Sequence, residues 1–161
     1  MDAKGAENLL IQVGATIPHG PQHVDLENAP RTLTAVARLI REGRVRSAHD
    51  CSEGGLLVAA AEMAFAGRLG LQINLEGSPR RGAESDAASL AFAETPTRIL
   101  LEVEPRDFDS LARGLREAGV PFGHVGTFND SGRFIVRDGG QHLANLSIEG
   151  LLTAWRAPLD W

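Results

Sequence analysis

Ser47-Ala48-His49-Asp50-Cys51-Ser52-Glu53-Gly54-Gly55, followed at once by the alanine-rich run 56–67, is the stretch that decides how this chain folds. Its first residues close a short extended segment and its glycines open a helix, so it reads as a strand-to-helix turn. A helix start leaves backbone N–H groups without intrahelical partners and favours an anion, while a neighbouring Asp can hold a cation. Asp50 and Ser52 stand two apart, on one side of an extended segment. A carboxylate oxygen can then meet a divalent cation while the Ser52 hydroxyl and the first-turn N–H groups meet phosphate oxygens. Gly54 and Gly55 remove side chains where a ligand would approach the backbone. A plainer reading uses the same residues: Ser52 caps the helix and Asp50 is a favourable charge at the positive end of its dipole.

His49 titrates near neutrality and is a candidate acid, base or phosphate donor, or a structural hydrogen bonder beside the strand. Cys51 points away from Asp50 and Ser52, toward the core, as a small hydrophobe. A second constellation, Glu94-Thr95-Pro96-Thr97-Arg98, leads into an apolar strand. Arg98 is either a bidentate contact to phosphate or carboxylate, or the partner of Glu94 in an internal ion pair.

Working outward, Leu33, Val36, Ala37, Leu39 and Ile40 share one face of a helix that begins at 31 and that Gly43 ends. Residues 45–49 form a strand into the turn, 53–66 the helix after it, and 71–75 a half-buried strand. A short helix over 85–92 and a strand over 98–104 follow. Pro105 then opens a helix to 118, where its missing N–H does no harm. Three short strands, 122–127, 133–137 and 142–146, are separated by Asn129-Asp130-Ser131-Gly132 and Asp138-Gly139-Gly140, and a last helix covers 147–155. Helices and strands without strict alternation predict an α+β fold, a layered α/β/α domain with a mixed sheet. Residues 1–23, broken by Gly14 and prolines, read as a linker or arm, and 24–161 as the domain.

The chain has 161 residues, 43% of them apolar, enough for one domain with a real core. Its net charge is -5 with sixteen scattered basic residues, which predicts no nucleic-acid partner. No apolar run reaches the roughly 18 residues of a membrane span, so no membrane is expected. A single cysteine excludes an intramolecular disulfide and fits a reducing, cytoplasmic setting.

The stretch 47–56, with Ala61-Glu62-Met63-Ala64 after it, resembles the H-D-x-S-[DE]-G-G-L…A-E-M-A signature in the last domain of phosphoribosylformylglycinamidine synthase. Asp25-Leu26, Ile40-Arg41-Glu42-Gly43 and Glu94-Thr95-Pro96-Thr97-Arg98 support the resemblance, which runs over about 24–155. It implies the fold of the C-terminal domain of the AIR synthase superfamily. Selenophosphate synthetase, the hydrogenase-maturation dehydratase and thiamine-monophosphate kinase share that fold with different residues at the turn. The implied activity is an ATP-dependent ligase of purine biosynthesis. It activates the formyl-amide oxygen of formylglycinamide ribonucleotide as a phosphoryl ester and displaces it with glutamine-derived ammonia.

By the same resemblance Asp50 binds Mg²⁺, Ser52 contacts nucleotide phosphate, and His49, Gly54 and Gly55 complete the ATP or ADP site. No catalytic residue is expected in this fragment, which is inactive alone and supplies half of a site at a domain interface. The implied partners are the preceding domains of a full-length enzyme, with a glutaminase subunit and a small accessory subunit if the enzyme is of the short form. The isolated domain is expected to self-associate. The rival expectations are a structural or oligomerising module whose turn is only a capped helix, or the domain of another enzyme of that superfamily.

Overall fold

The structure, a computed structural model, describes residues 1–17, 25–81 and 86–159. Seven strands form one sheet: β1 (Leu9–Val13), β2 (Ser47–Asp50), β3 (Gly70–Asn74), β4 (Ile99–Val103), β5 (Phe122–Asn129), β6 (Arg133–Asp138) and β7 (Gln141–Ser147). Among the described residues five α-helices surround it: α1 (Ala29–Arg41), α2 (Gly55–Gly67), α3 (Ala87–Phe92), α4 (Phe108–Glu117) and α5 (Ile148–Arg156). The strand order is β2-β4-β1-β5-β3-β6-β7. The β3–β6 pair is parallel and the other neighbours are antiparallel, so the sheet is mixed as expected.

Alternation along the central strands divides the core in two. Ile11, Val13, Leu101 and Val103 face α1 and α4, meeting Ala35, Val36, Leu39, Leu111 and Leu115. Leu10 and Leu100, with Leu71, Ile73, Phe134 and Val136, face the other way, toward α2, α3 and α5. This is the layered α/β/α arrangement. No helix among the described residues is long and apolar enough to cross a membrane.

The first residues are not an arm. β1 lies inside the sheet, pairing with β4 on one side and β5 on the other. Its run Leu-Leu-Ile-Gln-Val is buried on both faces, so it lacks the polar alternation that marks a half-exposed strand. The chain before it is tied down by Glu102, a wholly buried carboxylate on β4. Its oxygens accept from Lys4 N (2.8 Å), Gly5 N (3.0 Å), Asn8 Nδ2 (2.7 Å) and Ser47 Oγ (2.7 Å). Residues 18–23 of the expected arm lie outside the described residues.

Smaller boundaries shift for local reasons. Leu75 leaves the strand for a 3₁₀ turn because the Asn74 side chain accepts from Glu76 N. α3 starts at Ala87 with Asp86 as its cap, accepting Ser89 N at 2.7 Å, and Ser85 lies outside the described residues. Pro105 opens a 3₁₀ turn that leads into α4.

Candidate functional site

Among the described residues β2 is an edge strand whose only neighbour is β4, with Asp50 opposite Ile99 at its end. Cys51 N donates to Arg98 O at 2.9 Å, holding the turn to the entrance of β4. Asp50 is exposed, and the Ser52 hydroxyl donates to its carboxylate. That hydrogen bond, reinforced by backbone donation, holds the Asp50 carboxyl below its ordinary range, so it is ionised near neutrality. Asp50 and Ser52 therefore act as one unit.

Ser52 is not the helix cap. Gly54 occupies that position with φ 76°, and no side chain of the turn caps α2. The Gly54 N–H instead donates to Glu94 Oε1 at 3.0 Å, so the carboxylate at the helix start comes from the α3–β4 loop. Nor are the glycines left open for a ligand. A Cβ at Gly55, where φ is +65°, would stand 2.7 Å from Ala93 O and 2.8 Å from Phe92 C. The space beside Gly55 is already filled by the chain's own backbone.

The expected Arg98–Glu94 ion pair does not form. Arg98 is 1% exposed and turns inward. Its Nη1 donates to Thr16 Oγ1 (2.8 Å) and Leu90 O (3.5 Å), and its Nη2 to Ala93 O. A cation thus sits on the last carbonyls of α3, where the helix dipole favours it. Burial lowers the Arg98 pKa, and its Nε has no partner among the described residues. Thr95 Oγ1 braces the same loop, accepting from Ile17 N and donating to Ile17 O, both at 3.0 Å. Arg98 and Thr95 fix the loop that presents Glu94.

His49 is 13% exposed and held from both sides. Its Nε2 lies 2.6 Å from Glu62 Oε2 on α2, and its Nδ1 3.4 Å from Asp50 Oδ1. Trp155 Nε1 of α5 donates to the other oxygen of Glu62 at 3.3 Å. Glu62 holds the ring through Nε2, with Nδ1 turned toward Asp50, which leaves His49 as a brace beside the site. Sequence reasoning assigned no role to Glu62 or Trp155. Glu62 stood in the quoted Ala61-Glu62-Met63-Ala64 stretch, whereas nothing local marked Trp155.

Cys51 is buried as expected, and burial pushes its thiol up to about 11. Asp50, Ser52, Glu53, Glu94, Thr97 and Leu33 surround a depression of about 400 Å³. A larger one, about 500 Å³, lies between α1 and α4 and contains none of these groups. Three carboxylates around the first make it suited to a cation, or to a phosphate that arrives with one. No group of three or more His, Cys, Asp or Glu side chains among the described residues could hold a metal. Asp50 can supply one ligand to a Mg²⁺ that keeps its waters and takes further oxygens from phosphate, as that ion commonly does.

A seven-stranded mixed sheet between two helical layers is a fold shared with known proteins. Residues 3–139 match the family described as AIR synthase related protein, C-terminal domain, and the chain belongs to that family. The phosphoribosylformylglycinamidine synthase subunit PurL of Deinococcus radiodurans is 36% identical over 161 residues, covering 98% of this chain and 20% of its own length. The chain thus spans about one fifth of the curated relatives it matches. In the solved structure of Thermotoga maritima PurL complexed with ATP, the matching part superposes with TM-score 0.86 at 20% identity, covering 93% of this chain and 26% of that one. Hydrogenase maturation protein HypE in complex with ATP shares the fold at TM-score 0.67 and 14% identity, covering 91% of this chain and 52% of that chain.

Proposed function

We propose that this chain is the C-terminal domain of an ATP-dependent amidoligase of purine biosynthesis, and that its turn forms one wall of a nucleotide and Mg²⁺ site at a domain interface. The reaction would convert formylglycinamide ribonucleotide, ammonia derived from glutamine, and ATP to formylglycinamidine ribonucleotide. The observation that carries the proposal is the match over 98% of the chain to a PurL subunit, with Asp50 ionised and open on a depression of about 400 Å³. Asp50 holds Mg²⁺ and Ser52 faces phosphate, while the remaining ligands belong to the nucleotide, to water and to the preceding domain. Bound Mg²⁺ would neutralise phosphate charge beside the three carboxylates. His49, Gly54 and Gly55 shape this wall without being contacts that the geometry requires.

No residue of this chain is given a catalytic role, and the domain alone is inactive in this reading. Its partners are the preceding domains of the same enzyme, in the cytoplasm, and in a short-form enzyme a glutaminase and a small accessory subunit. The solved structure of PurLQS from Thermotoga maritima supports that assembly by analogy. The glutamate at the start of α2 favours the rival structural reading, because Gly54 N–H already has an anionic acceptor. Titration of Mg²⁺-ADP into the full-length protein that carries this domain, followed by amide NMR, separates the two. The proposal expects shifts at Ser52 and Gly54 that vanish in Asp50→Ala, and an affinity unchanged by that substitution overturns it.

A further inference from the structure

We propose that Glu62 is the positioning residue of the Asp50 site, and that through it the C-terminal helix α5 becomes part of the site. The inference rests on the reading of Asp50 as a ligand and concerns how Asp50 is held. β2 has a sheet neighbour on one side only, so strand pairing restrains the end of β2 from that side alone. The second restraint comes from α2: the 2.6 Å contact between Glu62 Oε2 and His49 Nε2 fixes the imidazole, and the fixed ring turns Nδ1 toward Asp50. A ligating group held by an outer partner keeps its orientation, and loss of such a partner typically weakens metal sites about 10- to 100-fold; here His49 is that partner of Asp50, and Glu62 acts through it.

Glu62 is itself held. Glu62 and Phe65 lie three apart on α2 and therefore on one face of it. Trp155 spans both, its indole N–H on Glu62 at 3.3 Å and its ring tilted against Phe65 with centroids 5.6 Å apart. The relay Trp155, Glu62, His49, Asp50 thus runs from the last helix to the edge strand. Trp155 lies beyond residues 3–139, the part that matches the family, so the relay joins that core to a segment outside it. Its consequence is that α5 reports on the turn and stabilises it.

The test compares Glu62→Ala, Glu62→Gln and Trp155→Phe with the unaltered chain by two readouts. One is the ¹⁵N spectrum of the His49 ring at fixed pH without ligand. The other is the affinity for Mg²⁺-ADP. Glu62→Ala is expected to change the ring ¹⁵N shifts of His49 and to weaken Mg²⁺-ADP about tenfold with the fold retained. Glu62→Gln keeps an acceptor and restores most of both, and Trp155→Phe, which keeps the ring against Phe65, gives a smaller change in each. Ring shifts unchanged by Glu62→Ala overturn the inference. So does an unchanged Mg²⁺-ADP affinity in Glu62→Ala when Asp50→Ala abolishes binding. If Asp50→Ala itself leaves the affinity unchanged, the nucleotide reading falls, and the His49 ring spectrum alone decides whether the relay exists.

Discussion

Gly55→Ala separates two explanations of the glycine pair in the turn: room for a ligand, or room for the chain itself. At φ +65° an alanine adopts a left-handed conformation that costs about 1–2 kcal/mol, offset by about 0.4–1 kcal/mol because alanine also restricts the unfolded chain. Gly119 provides the reference, with φ +66° and no heavy atom within 4 Å of a built Cβ. Gly119→Ala should therefore cost only about 1 kcal/mol. At Gly55 the added methyl meets Ala93 O at 2.7 Å and Ala91 O at 3.0 Å, both backbone atoms that no rotamer change can move. Forcing them apart adds about 1–3 kcal/mol by the usual cost of overpacking, for a total of about 2–4 kcal/mol. In a chain of 161 residues that lowers Tm by about 4–16 °C, against about 2–4 °C for the reference. Urea denaturation of the two variants in parallel, without nucleotide, measures the difference. Equal losses would refute the packing argument and return Gly55 to the role of a ligand clearance.

Cys51 should resist labelling by a thiol reagent in native buffer at pH 8 and react at once in denaturant, since its thiol titrates near 11; rapid stoichiometric native labelling contradicts its burial. Because that pKa is raised above the ordinary 9.0, the neutral buried thiol contributes fully below pH 9.0, and stability falls as pH climbs from 9.0 toward about 11. Cys51→Ala should flatten this alkaline slope, and an identical slope argues for another group. Glu102→Ala strands the donors of Lys4, Gly5, Asn8 and Ser47 in the core and should cost about 3 kcal/mol, with amide exchange rising first over residues 3–8. Exchange that rises evenly over the sheet would remove Glu102 from its anchoring role. The isolated domain should self-associate, because β7 is an exposed edge strand without a charged residue that presents Leu143 and Leu146. Sedimentation as a clean monomer at high concentration would count against it.

The elements that could be read from the sequence are those whose signal is local. α1 and α4 each carry one apolar face, β3 and β4 alternate or run apolar between breakers, and the β5–β6 turn and the β6–β7 hairpin each contain a glycine. The strand-to-helix corner at Asp50 was legible for the same reason, since Asp, Ser and two glycines fall within six residues. β1 was lost because its signal is not local. Its apolar run follows a polar start, and its place between β4 and β5 depends on Glu102, more than ninety residues away from the Lys4 and Gly5 amides that it binds.

The site failed to read in the same way, and the failure has one physical source. A helix start needs an acceptor, and Ser52 offered one a few residues from the helix, whereas the acceptor in the folded chain is Glu94, forty residues on. Once Glu94 is drawn to Gly54, it is no longer the neighbour of Arg98. The buried guanidinium then takes its acceptors from the Leu90 and Ala93 carbonyls at the end of α3 and from the Thr16 hydroxyl, with no carboxylate among them. Glu94 and the Arg98 Nη1 each find a partner distant in sequence, Gly54 and Thr16, which local spacing cannot reveal. The same exchange applies to His49, read from the sequence as an acid, base or phosphate donor or as a structural hydrogen bonder: Glu62 takes its Nε2 and Nδ1 faces Asp50 once α2 folds back against β2. What remains exposed after these internal demands are met is the Asp50–Ser52 unit with Glu94 beside it. The functional reading therefore rests on the carboxylate of Asp50 more than on any hydrogen-bond donor of the turn.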